Sequence, residues 1–144
     1  MEIVFSLPHV FHIGASRVDN AAALKTLLEC LVNLNLAYLR SMKRQGHTVP
    51  TLYSSGVVYA RTTWWETIPA LYKRGFGDCK SLTCAKVAED IMRGIEAQPV
   101  FRFNPMPTST DYHILEALPG RNPPYEDPSK VLGMGKDEAQ YFRI

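Results

Sequence analysis

The run Gly75-Phe76-Gly77-Asp78-Cys79-Lys80-Ser81-Leu82 takes a glycine-rich turn straight into a helix. Beyond Cys79, the positions Ser81, Cys84, Ala88 and Ile91, with Leu82, Ala85 and Met92, supply small or apolar side chains at steps of three and four. Gly94 is the expected stop. Thr83, Lys86, Asp90 and Arg93 recur on the other side of that helix, which is expected to face water. Cys79 stands in the first turn, where unpaired backbone N–H groups and the positive end of the macrodipole favour a thiolate over a thiol. Thiolate at neutral pH is what covalent cysteine chemistry uses.

Upstream, the clearest element is a helix from Asp19 to about Arg44. Asp19 or Asn20 can cap it, and Gly46 ends it; Leu24, Leu28, Leu31, Asn35, Tyr38 and Met42 form its buried stripe, which Leu27, Leu34 and Ala37 are expected to widen into one broad buried face. A short strand is expected over residues 2–6, a loop from His47 to Ser55, and another strand from Gly56 to Arg61. A short helix is expected from Trp64 to Leu71, with Pro69 as a distortion. Downstream the pattern changes to strands, Ala97–Phe103 and Tyr112–Leu118, flanked by Pro/Gly-rich turns. Helices first and strands after them predict an α+β fold, in which a nucleophile-bearing helix packs on a small antiparallel sheet.

The 144 residues carry no linker, repeat or low-complexity tract and read as one domain, 1–144. A hydrophobic fraction of 46% and a charged fraction of 21% are those of a folded chain. The 16 basic and 14 acidic side chains are dispersed, so no basic stripe for nucleic acid is expected. No uninterrupted apolar run reaches bilayer length, and no membrane association is expected. Three cysteines, Cys30, Cys79 and Cys84, form no disulfide framework, which places the chain in a reducing compartment, the cytoplasm. Cys84 lies five residues past Cys79, on another face of the helix, and is expected in the core. No CxxC pair or HExxH is present, His9, His12 and His47 share no spacing, and no metal or cofactor is expected. Gly133-Met134-Gly135-Lys136 lacks the first glycine and the strand of a phosphate loop.

A reactive thiol needs an imidazole within reach and a group that fixes the imidazole's orientation. If Tyr112–Leu118 and Tyr125–Val131 pair as a hairpin about Gly120, residues whose numbers sum to 240 face each other, and His113 then opposes Asp127. Pro123, Pro124 and Pro128 break any regular ladder there. Asp111 and Glu126 are rival acids. Asp111 shares the face of His113, whereas Glu126 points away from Asp127's face, and Asp127 is the preferred partner.

The ordered set resembles the core signature of transglutaminase-like proteins, which have a papain-like cysteine peptidase/acyltransferase fold. Gly77-Asp78-Cys79 opens the helix, and Arg93-Gly94-Ile95-Glu96-Ala97 makes the turn into a strand. Asp111-Tyr112-His113-Ile114 and Glu126-Asp127-Pro128 follow. The resemblance spans roughly residues 64–134 and is closest to small stand-alone bacterial and phage members, for which a virion is the other expected location. Ile114 departs from the aromatic residue that many members carry after the histidine.

The resemblance implies Cys79 as nucleophile, His113 as general base and then acid, and Asp127 as the imidazole's orienter. The Cys79 N–H would be half of an oxyanion hole, with Trp64 or Trp65 as the second donor or as pocket wall. It implies a protein or peptide substrate, an acyl-thioester intermediate, and a peptidase, amidase or acyltransferase activity. Hydrolysis is preferred to cross-linking, because a minimal domain has no evident device for excluding water. The alternative expectation is a catalytically silent module of the same fold, serving a larger assembly through a partner the sequence does not identify.

Overall fold

The computed structural model describes residues 17–105 and 110–135. The strand expected over residues 2–6, together with His9, His12 and Lys136, lies outside the described residues. The fold is mixed α+β, as the order of sequence patterns predicts: α1 (Arg17–Arg44), β1 (Val58–Tyr59), α2 (Ile68–Arg74), β2 (Phe76–Gly77), α3 (Cys79–Met92), β3 (Gln98–Pro105), β4 (Thr110–Ala117), β5 (Tyr125–Glu126) and α4 (Pro128–Val131), with a 3-10 turn at Leu52–Ser54. Strands β3, β4 and β5 form an antiparallel sheet in that order, and β1 pairs with β2 in a short parallel sheet.

The stripe read from α1 is buried at Leu24, Leu28, Leu31 and Asn35 and half-buried at Tyr38 and Met42, whereas Leu34 and Ala37, expected to widen it, are exposed. Leu24, Leu28 and Leu31 pack with Val32, Leu36, Cys84, Val87, Ala88 and Ile114, so α1 and α3 share one core with the face of β4. By length and composition, Asp19–Arg44 is apolar enough to cross a membrane, and a third of its most apolar window is buried within the protein. A second cluster, Leu52, Val57, Ile68, Leu71, Leu82 and Ala85, joins α2 to the other side of α3. Helix α3 is therefore enclosed on both flanks.

Three local expectations change. Pro69 sits in the first turn of α2 rather than inside a helix running from Trp64, where its missing N–H costs nothing. The strand expected over residues 56–61 shortens to two residues, held by β2. On α3, Thr83, Lys86 and Asp90 are buried rather than wet, and Arg93 alone of that set is exposed. The reason is the double enclosure of α3: the polar side chains that face the sheet find partners there instead of water.

The glycine-rich turn divides its work. Gly75 closes α2 in the left-handed conformation, φ +83°, which only glycine adopts without cost. Gly77 has an ordinary φ, but a Cβ there would lie 2.5 Å from Leu71 Cδ1. Close packing of α2 on the approach to α3 thus requires its missing side chain.

Candidate active site

The site is built where the sheet runs out. Along β4, even-numbered residues turn their backbone groups toward β5: Glu116 pairs with Glu126, and the Leu118 N–H donates to the Pro124 carbonyl at 2.7 Å. The next position in that series is Ile114, whose ladder partner would be residue 128. Residue 128 is a proline and opens α4, so it has no N–H to offer and the ladder stops. Helix α3 takes the vacated edge. The Ile114 N–H lies close enough to the Cys79 sulfur to favour its thiolate, and one turn on, Thr83 Oγ1 donates to the Ile114 carbonyl at 3.2 Å. Cys79 is thereby held against the peptide unit that directly follows His113.

This register corrects the expected hairpin. Paired residues sum to 242, not 240, so the hairpin centres on Arg121 rather than Gly120, and β5 is only two residues long. Asp127 is not a ladder residue opposite His113 but the N-cap of α4. Its Oδ1 accepts from the Lys130 N–H at 3.2 Å, and its Oδ2 lies 2.9 Å from His113 Nε2. A carboxylate only accepts, so Nε2 carries the proton of this contact. His113 is buried and Asp127 half-buried. Of the rival acids, Glu126 is engaged elsewhere, and the side chain of Asp111 lies outside the described residues.

The electrostatics at Cys79 differ from the expectation drawn from the helix terminus. Burial, reinforced by the charge of Asp78, pushes the thiol up to about 11, while the Ile114 N–H and Lys80 only partly offset this. Asp78, the N-cap of α3, is itself pushed up by burial and pulled back by Lys80, which pairs with it. Lys80 is further tied to the Thr62 carbonyl at 3.1 Å. Cys79 in this environment rests as a thiol.

The loop carrying the two tryptophans is fastened to the first turn of α3. Ser81 Oγ accepts from the Glu66 N–H at 3.1 Å and donates to the Trp64 carbonyl at 3.3 Å. Trp64 lies under the Arg74 guanidinium, 3.7 Å from its ring centroid, and Arg74 Nε is 2.6 Å from Glu66 Oε2. Trp65 lies over Lys80, whose Nζ is 5.8 Å from the ring centroid. Both rings are partly exposed.

A second polar cluster adjoins the site through β5. Lys86 Nζ is 2.5 Å from Asp90 Oδ2 and 3.8 Å from both Glu116 and Glu126, and the Tyr53 hydroxyl donates to Glu126 at 2.7 Å. The oxygens of Asp90, Glu116 and Glu126 lie within 4.8 Å of one another, a spacing compatible with a cation, and the Lys86 ammonium sits among them. Burial pulls Lys86 down, but Asp90, Glu116 and Glu126 more than offset this. Glu116, fully buried, is pushed up to about 8 by burial, with Asp90 and Glu126 adding to the effect and Lys86 opposing it.

Sequence reasoning missed this cluster, because alternation along β4 gives no sign that Glu116 points into protein. It also missed Arg102, which pairs with His113 across β3 and β4. Extending the alternation from one strand pattern to the next would have found it, but the intervening sequence Pro105-Met106-Pro107 hides the register.

The chain matches no protein-family model, no curated protein and no solved structure.

Proposed function

We propose that this protein is a cysteine-dependent acyl-transfer enzyme of the transglutaminase-like kind, acting as a peptidase or amidase through Cys79, His113 and Asp127. The observation that carries this reading is the juxtaposition at the end of β5: the His113–Asp127 contact of 2.9 Å and a Cys79 sulfur under the influence of the very next N–H of β4. Because Cys79 rests as a thiol, His113 acts as a true general base rather than as half of a standing ion pair. As sulfur attacks the substrate carbonyl, the Sγ proton passes to the His113 imidazole and the C–S bond forms. Collapse of the adduct breaks the bond to the amine, which leaves with that proton. Water then attacks the thioester, gives a proton to His113 and releases the acid and the thiol. Asp127 holds the ring and favours the imidazolium that forms in each half. The Cys79 N–H, at the first position of α3, has no intrahelical acceptor and supports the oxyanion. Trp65, whose ring faces Lys80 while that of Trp64 is taken up by Arg74, is the better second donor.

The test is mass-spectrometric trapping with an activated ester such as p-nitrophenyl acetate. An acyl adduct is expected on the Cys79 peptide and not on Cys30, absent in Cys79→Ala. It should form about a hundredfold more slowly, or worse, in His113→Gln, the usual worth of a general base. Adducts that appear on Cys30 as readily as on Cys79, or that ignore His113, would overturn the assignment. The catalytically silent alternative draws its support from the raised Cys79 thiol and predicts that outcome.

A further inference from the structure

The side chains at positions 102 and 113 share one face of the sheet, because Arg102 and His113 are direct partners across β3 and β4. Burial pulls the Arg102 guanidinium down from its usual range, and Asp127 is close enough for its charge to oppose this. Arg102 is half-buried. Among the described residues, nothing makes a hydrogen bond or ion pair with it, and both oxygens of Asp127 are already used, by His113 and by the Lys130 N–H. Lys80, the cation whose charge acts on the thiol, is committed to Asp78 and the Thr62 carbonyl. A partly desolvated guanidinium with unused donors is costly unless an anion completes it, and its planar fork fits a carboxylate in bidentate fashion.

We propose that Arg102 is a specificity residue that binds a carboxylate, so that the site prefers an acyl donor bearing an acidic group close to the carbonyl that Cys79 attacks. The preference for acidic acyl donors rests on the acyl-transfer reading above; anion binding beside His113 does not.

Two measurements separate these claims. The first compares the rates at which iodoacetate and iodoacetamide alkylate Cys79, followed on its own peptide. The ratio cancels the thiolate population and reports the charge felt by the reagent. It should fall about tenfold in Arg102→Gln, as expected for loss of a charge-assisted contact, and be partly retained in Arg102→Lys, which also guards against a misfolded variant. The second compares acylation of Cys79 by mono-p-nitrophenyl glutarate and by p-nitrophenyl pentanoate, with the glutarate preferred by the wild type and not by Arg102→Gln. An unchanged alkylation ratio with equal use of both esters overturns the inference while leaving the nucleophile in place, since the guanidinium charge is then spent inside the protein. A ratio that falls while neither ester acylates Cys79 supports the anion site and removes the acyl-transfer reading.

Discussion

At Cys79 two opposing effects meet, and their sizes decide the outcome. A helix N-terminus contributes about 0.3–1 kcal/mol to an adjacent anion, and rarely ~2. Burial of an ionisable group moves its pKa by up to ~3–5 units, each worth about 1.4 kcal/mol. Burial wins, and the thiol is pushed up to about 11. Asp78 adds to the same direction, which gives a signed prediction. Asp78→Asn removes a negative neighbour and releases Lys80, so the Cys79 pKa falls and more thiolate is present at any fixed pH. Alkylation of Cys79 by iodoacetamide between pH 8 and 10 should accelerate several-fold, about what a fraction of a pKa unit to one unit supplies. A slower or unchanged rate would show that Asp78 does not act on the sulfur electrostatically. Glycine at 77 belongs to the same scale. In Gly77→Ala the new methyl meets Leu71 Cδ1 at 2.5 Å in a fully buried position. Overpacking of that kind costs about 1–3 kcal/mol, readable as a lower urea midpoint with an unchanged slope.

At the scale of elements, the legible parts were those whose periodicity and burial agree. The core of the α1 stripe, the span of α3 and the two long strands follow from spacing, because their apolar positions recur at the period of the element they form. Elsewhere, what decides is a partner that the local sequence does not name. Thr83, Lys86 and Asp90 recur as a polar stripe, yet they are buried, since periodicity counts residues and cannot tell water from Glu116. The β4–β5 register was unreadable for a related reason: Pro128 converts the rest of an expected strand into the first turn of α4. The same proline leaves Ile114 open to Cys79 and Thr83 and places Asp127 at a helix cap, so the residue that defeats the hairpin reading also makes room for the site.

Across the whole molecule, the carboxylate cluster joins the 3-10 turn, α3, β4 and β5 around one lysine, and β5 leads directly into Asp127. Its central acid, Glu116, titrates in the folded protein near 8 against an ordinary value of 4.5. Below about pH 4.5 both folded and unfolded chains carry its proton. Between there and 8 the unfolded chain has lost the proton while the folded one keeps it, so the folded state binds more protons and stability falls as pH rises. Above 8 the loss is complete, and an ionised Glu116 stands beside Asp90 and Glu126 with Lys86 as their shared cation. Glu116→Gln imitates the protonated acid at every pH and therefore removes this slope. Urea unfolding at pH 5 and pH 8.5 should show the wild type losing more stability than the variant, by more than about 1 kcal/mol, the worth of a single pKa unit. Parallel losses would mean that Lys86 holds Glu116 ionised throughout. A larger wild-type loss would instead make the junction of β4 and β5, and with it the seat of Asp127, weaker in alkali, so that activity at His113 would decline with pH before the fold itself gives way.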